Sequence, residues 1–219
     1  MKKSTQSLII NSPYLRPTQH WHSEGGKPIL TQGRRPAGYE IYDTRTQTKR
    51  VEPLELVNQI RQRVDGWRAA GYEGASTVSL QLLEHWHDKG DWDADSLRWV
   101  GGQRDKPFYF CQLEAIETLI WWVEAYPTYK QGIVLQGDGG AWERVCNKMA
   151  TGSGKTSLMA MIITWQTLNA LANPKDTRFS KAIFIVAPGL TVKGRPARAR
   201  DSRRGGTSAH RGRPGTYDR

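Results

Sequence analysis

The segment 149–156, Met-Ala-Thr-Gly-Ser-Gly-Lys-Thr, constrains this chain more than any other part of its sequence. It follows a short apolar run at 145–149 and opens a strongly amphipathic stretch with helical periodicity. Its glycines let backbone N–H groups converge on an anion, and the N-terminus of the helix that follows attracts negative charge. The order strand, glycine turn and helix predicts a cradle for nucleotide phosphates.

The residues of this segment have predicted roles in that cradle. Lys155 would reach the β- and γ-phosphates of ATP, and the Thr156 hydroxyl would bind Mg²⁺. The remaining predicted cofactor contacts are Thr151, Gly152, Ser153 and Gly154. The alternative is a glycine turn before an ordinary helix, and Met149 stands where the strict phosphate-loop pattern has its first glycine.

Gln112 lies upstream of the loop, where a segment with helical spacing begins. A glutamine amide can donate to N7 and accept from N6 of adenine at once, so Gln112 could select ATP over GTP. Tyr109 or Phe110 could stack on the base. The alternatives are a polar residue that merely begins a helix and aromatic residues packed in the core. The face predicted to be buried here consists of Ile116, Leu119, Ile120 and Val123.

The residues around the loop predict a βαβ unit with a right-handed crossover. Strands are predicted at 145–149 and 182–186, with a further short one at 132–135, and the run 182–186 is typical of a strand buried in a parallel sheet. The helix between them should end near residue 173. Its buried face is predicted to be Leu158, Ile162, Trp165 and Leu168.

The segment 187–193 follows the last predicted strand, at the edge where α/β sheets place ligands. Thr191 and Lys193 have the chemistry of phosphate contacts to a nucleic-acid backbone. A plain strand-to-helix loop is the alternative.

The first hundred residues are less diagnostic. Residues 1–52 predict short extended pieces between Pro and Gly residues, and residues 53–100 predict two helices that form a hairpin. The first helix should bury Val57, Ile60, Val64 and Trp67, and the second Val78, Leu82 and Trp86. The His-Trp-His triplet at 20–22 could supply two metal ligands, but a structural role is favoured because nothing completes the set. Arg34 and Arg35 could touch phosphate or form a solvated basic turn.

Charge and cysteine content bear on nucleic-acid binding and on the cellular compartment. The net charge is +11, of which the last 26 residues carry +6, so the charge of the folded part is weak evidence for nucleic-acid binding. Cys111 and Cys146 lie in apolar segments and predict buried thiols of a reducing compartment. No signal peptide or membrane-spanning run is recognisable, which predicts a cytoplasmic protein without a membrane partner.

Three segments together resemble superfamily 2 helicases of the DEAD/DEAH-box type, in particular the Res subunit of type III restriction enzymes. They are 110–121, 148–156 and 186–193. The resemblance implies a RecA-like P-loop NTPase domain with a parallel sheet, ATP and Mg²⁺ as cofactors, and translocation along double-stranded DNA. It also implies a partner methyltransferase subunit, adenine contact by Gln112, and DNA contact by Thr191 and Lys193 in the motif after the second strand.

The chain departs from that family after Lys193. Residues 194–219 are rich in Arg and Gly, lack an apolar period and predict a disordered tail. We interpret the tail as the product of a frameshift or truncation, and an arm that binds nucleic acid is the alternative. No Asp-Glu-x-His motif follows the loop, so poor ATP hydrolysis is expected, and a catalytically inactive ATP- or DNA-binding remnant is the alternative function. The predicted fold class is α/β, with an extended region at 1–52, a helical hairpin at 53–100, an incomplete RecA-like domain at 101–193 and a tail at 194–219.

Overall fold

The structure, a computed structural model, describes residues 9–24, 27–88, 90–93, 95, 98–102, 106–137, 139–140 and 144–186. Within these ranges the chain has a mixed α/β fold. Its strands are β1 (Gln19–Glu24), β2 (Lys27–Gln32), β3 (Gly38–Asp43), β4 (Thr48–Pro53), β5 (Asp91–Asp93) and β6 (Arg98–Val100). Its helices are α1 (Glu55–Ala69), α2 (Thr77–His87), α3 (Phe110–Glu124), α4 (Pro127–Lys130) and α5 (Lys155–Ala172). The chain divides into two compact units, 1–181 and 182–219, and the second is described only at 182–186.

The strands form three antiparallel hairpins. β1 pairs with β2, β3 with β4 and β5 with β6, in registers that place Gln19 opposite Gln32, Gly38 opposite Pro53 and Asp91 opposite Val100. The extended pieces predicted before residue 53 are therefore confirmed as two hairpins. All strand pairs in the described ranges are antiparallel and each sheet has two strands, so a parallel sheet is not found there.

The prediction of strands around the loop was wrong. The segments 132–135, 145–149 and 182–186 have no strand assignment, although all three lie in the described part of the chain. A β-strand satisfies its backbone groups only by pairing with another strand, so β-branched composition alone cannot form one. Phe184 is 91% exposed and Val186 is 76% exposed, whereas the prediction had them buried on both faces of a sheet.

The helices form the core of the first unit. α1, α2 and α5 all pack against α3, and α5 also packs against α2. The buried apolar residues come almost entirely from these four helices: Val64, Trp67, Leu83, Trp86, Leu113, Ile116, Ile120, Trp121, Leu158, Met161, Trp165 and Ala170, joined by Ala125 and Phe179. None of the helices in the described ranges is long and apolar enough to cross a membrane.

The predicted helices are confirmed, but their buried faces are partly different. Val57 of α1 and Leu168 of α5 are exposed. In α5 the buried stripe follows Leu158, Met161, Trp165 and Asn169. Asn169 can be buried because its amide donates to Ser79 Oγ at 3.0 Å and to the backbone carbonyl of Trp165 at 3.0 Å.

Two carboxylates of α3 are buried, and each is saturated with hydrogen bonds. Glu124 accepts from the Ser76 backbone N–H and from Trp165 Nε1, both at 2.6 Å, and so ties α2 and α5 to α3. Glu117 accepts from Arg68 Nε at 2.8 Å, from the Tyr72 hydroxyl at 2.7 Å and from His87 Nε2 at 3.1 Å. These networks fix the angles between helices, because each buried oxygen tolerates only one arrangement of donors.

Candidate nucleotide site

The loop that precedes α5 contains two glycines in the left-handed backbone conformation. Gly152 has φ 80°, and Gly154, the N-cap of α5, has φ 79° and ψ 40°. Residues with a Cβ rarely adopt this left-handed conformation, so the two glycines make the turn possible. Between them, Ser153 closes the turn with a hydrogen bond from its Oγ to the Ala150 carbonyl at 2.6 Å.

The Lys155 ammonium folds back over this loop. Its Nζ donates to the carbonyl of Ala150 at 2.9 Å and to that of Met149 at 3.2 Å. The side chain is exposed, and the Ser157 backbone N–H donates to the Gly154 carbonyl at 2.9 Å. The backbone N–H groups of Lys155 and Thr156 precede it in the first turn, where a helix supplies no acceptor of its own. A lysine ammonium and helix N-terminal N–H groups therefore lie close together, an arrangement that attracts anions.

Gln112 connects this loop to α3. Its Oε1 accepts from the Tyr109 backbone N–H at 2.8 Å, and its Nε2 donates to the Gly154 carbonyl at 3.2 Å. The side chain is only 4% exposed. The predicted adenine contact would thus use an amide that already has two partners, whereas the observed role of Gln112 is to hold the loop against α3.

The other predicted residues of the loop differ in exposure. Thr156 is half-buried in the first turn of α5, and Thr151 is exposed. The thiol of Cys111 faces the loop, with Sγ 3.8 Å from the Ser153 carbonyl. Cys111 and Cys146 are both exposed, so the prediction of buried thiols was wrong. The error arose because Cys111 stands next to the buried positions of α3 but not on its core face.

The aromatic residues near Gln112 have different surroundings. Tyr109 is 36% exposed and lies against Tyr14, with ring centroids 5.3 Å apart. Phe110 is covered by the Arg34 guanidinium, 5.3 Å from its ring centroid. Tyr109 is therefore the more accessible of the two for stacking on a base.

The remaining predicted contacts are distributed as follows. Thr191 and Lys193 lie outside the described residues. No group of three or more His, Cys, Asp or Glu residues in the described ranges is arranged to hold a metal ion. In the His-Trp-His triplet, the Nδ1 of His20 makes a 2.9 Å hydrogen bond with the Gly33 carbonyl.

Comparison of the chain with known protein families, with curated proteins and with solved structures found no match in any of the three.

Proposed function

We propose that this chain binds the phosphates of Mg-ATP at the loop 149–156, as part of an ATP-dependent DNA helicase or translocase of the DEAD/DEAH-box type. The observation that carries the proposal is the position of Lys155 over the carbonyls of a loop whose glycines have positive φ, directly before an 18-residue helix. Lys155 would leave these carbonyls for the phosphates, and the first N–H groups of α5 would bind the same oxygens. Thr156, in the first turn, has the hydroxyl that would ligate Mg²⁺.

The proposed RecA-like domain, the partners and the location are argued from the sequence. The order of loop, helix and apolar segment 182–186 supports a RecA-like domain, although no parallel pairing exists among the described residues. The resemblance to restriction-enzyme motors implies two partners, double-stranded DNA and a methyltransferase subunit. It also implies a location in the cytoplasm. A catalytically inactive ATP-binding chain is the second candidate, and the specific observation favouring it is that Lys155 and Gln112 both donate to carbonyl groups of the loop itself.

The test is calorimetric titration of the chain with Mg-ATP, with Lys155→Ala as the variant. Loss of a charged donor to phosphate should weaken binding about ten- to hundredfold. Lys175→Ala is the matched control, because Lys175 is an exposed lysine just beyond the other end of the same helix. Equal affinities of the two variants would contradict the proposed site.

The two candidate functions differ in turnover. The inactive candidate predicts slow ATP hydrolysis both with and without duplex DNA. DNA-stimulated hydrolysis at the rate of an intact motor, abolished by Lys155→Ala, would support the helicase activity in this chain and exclude the inactive candidate.

A further inference from the structure

A cleft of about 430 Å³ lies along α1, and none of the residues 149–156 lines it. Its wall is formed by the segment between β2 and β3, by Arg16 and by Pro53 at the end of β4. Its floor follows one face of α1, from Glu55 through Asn58 to Asp65. Four guanidinium groups line it: Arg16, Arg34, Arg35 and Arg61.

Three of these arginines have a carboxylate partner at close range. Arg34 forms a bidentate pair with Glu114, with Nη2 2.7 Å from Oε2. Arg35 pairs with Glu40. Arg16 pairs with Asp65 at 2.6 Å, and Asp65 is shared with Arg68 of the same helix. A guanidinium has five N–H donors, so a pair with one carboxylate holds it in position and does not use all of its donors.

Arg61 is the arginine whose charge is least compensated. Its closest carboxylate oxygen in the described ranges is Oε1 of Glu114, at 4.0 Å, and Arg34 holds that carboxylate with two hydrogen bonds. Burial, and next to it the positive charge of Arg34, lower the pKa of Arg61. A partly buried guanidinium without a full counter-ion gains more from an incoming anion than a fully solvated one does.

The shape of the cleft indicates the kind of anion. Glu55 and Asp65 are ten residues apart on α1, so the floor extends about 15 Å at the helical rise of about 1.5 Å per residue. A single inorganic ion would use one end of such a cleft. Four arginines line a cleft of this length, and guanidinium forks bind phosphate oxygens in pairs, so the repeated phosphates of a polymer suit it better than one ion does.

We propose that the arginine cleft, formed by Arg16, Arg34, Arg35 and Arg61, binds the sugar–phosphate backbone of a nucleic acid independently of base sequence. This site is separate from the loop 149–156 and does not depend on nucleotide binding there. It also differs from the contacts predicted at Thr191 and Lys193.

The test is fluorescence anisotropy of a labelled DNA duplex with the full chain, over a series of salt concentrations. Arg61→Gln should weaken binding about five- to tenfold at low salt and lower the slope of log K against log salt by about one. Arg63→Gln is the matched control, because it removes the same charge from the same helix. Arg63 is exposed outside the cleft, where its Nη2 donates to the Gln131 carbonyl at 3.2 Å.

Both variants keep the basic segment 194–219, so any binding by that segment is the same in the two proteins. Equal affinities and equal salt slopes for Arg61→Gln and Arg63→Gln would overturn the proposal. If Arg61→Gln fails to fold, Arg35→Gln takes its place, because Arg35 is half-exposed and its ion pair is with Glu40, an exposed carboxylate of β3. The same loss of affinity and slope is expected for it.

Two further arms identify the ligand. Sodium phosphate that displaced the duplex much more strongly than sodium chloride of equal ionic strength would show a site for a free anion and overturn the assignment to a polymer. Lys155→Ala should leave DNA affinity within twofold of the unaltered chain. An equal loss in Lys155→Ala and Arg61→Gln would show that the cleft is not a separate site.

Discussion

Glu117 is buried on α3 with a guanidinium, a hydroxyl and an imidazole around it. Burial raises the pKa of such a carboxyl, but the hydrogen bonds from Arg68, His87 and Tyr72 outweigh it and lower the pKa to about 2, against an ordinary value of 4.5. The hydrogen bond to Glu117 raises the pKa of Arg68, and burial together with the charge of Glu117 raises the pKa of Tyr72. Because the folded state lowers the pKa of Glu117, this carboxylate stabilises the fold fully above pH 4.5 and loses its contribution as the pH falls towards 2.

Replacing Glu117 by Gln should therefore cost about 3 kcal/mol of unfolding free energy at neutral pH, since the shift of the pKa sets the magnitude. The difference between the variant and the unaltered chain should shrink as the pH is lowered towards 2. Urea unfolding followed by tryptophan fluorescence at a series of pH values measures both effects.

Glu84→Gln is the control for this prediction, because Glu84 is an exposed residue of α2. It should change the unfolding free energy by less than about 0.5 kcal/mol at every pH. A Glu117→Gln variant with a pH-independent deficit would show that the residue acts through packing and not through its charge.

For single residues, the sequence indicates which side chains lie near the loop better than it indicates their hydrogen-bond partners. Gln112 was singled out from its position before an apolar helix, and the structure does bring it to the loop 149–156. The contact with Tyr109 is local to the first turn of α3. Nothing in the sequence indicates the contact with Gly154, because it depends on how α3 packs against α5. The proximity of Cys111 to the loop likewise has no sequence signal.

Among the elements, the helices were predictable and the strands around the loop were not. Proline, serine and glycine residues mark the ends of α1 and α2, and the predicted end of α5 near residue 173 agrees with its C-cap at Asn173. Helix signals are local, so they survive without tertiary information. A parallel strand has no local partner, and the apolar runs at 145–149 and 182–186 therefore could not establish a sheet by themselves.

The N-terminus of α2 allows a local signal to be tested. Ser76 Oγ accepts from the Ser79 backbone N–H at 3.0 Å and donates to Asn169 of α5. Ser76→Ala should lower the unfolding free energy by about 1 to 2 kcal/mol, since it removes a helix cap and leaves a buried amide short of a donor. Thermal unfolding followed by circular dichroism measures the loss.

The neighbouring residue provides the comparison. Thr77 is exposed at the first position of α2, and Thr77→Ala should stay within about 0.5 kcal/mol of the unaltered chain. Equal unfolding free energies for the two variants would mean that the Ser76 cap makes no measurable contribution.

The described residues of the second unit expose apolar side chains, whereas the first unit has a buried apolar core. The mixed α/β class was predictable from the alternation of extended and helical patterns, whereas the antiparallel arrangement in three hairpins was not. Phe184 and Val186 are largely exposed, and Ile183 and Ile185 are 41% and 47% exposed. Adjacent exposed apolar residues with high β-propensity favour pairing between chains.

Phe184→Asp should accordingly reduce self-association of the purified chain, measured as light scattering at rising protein concentration. The added charge opposes edge-to-edge contact, and the removed ring takes away exposed apolar area. Val134→Asp adds the same charge at another exposed residue, in the first unit, and should have a smaller effect. Scattering that is equal for the two variants would show that 183–186 does not drive association.

The contact between Gln112 and Gly154 also limits how this protein can change by mutation. A Cβ placed on Gly154 would lie 2.0 Å from Gln112 Nε2, and the φ of 79° already disfavours most side chains. In a library randomised at both positions, a residue such as Asn at 154 should survive selection for folding only beside a shorter side chain at 112. The two positions are 42 residues apart in the chain, yet they should vary together in evolution, because the residue at one position restricts the residues that the other can accept.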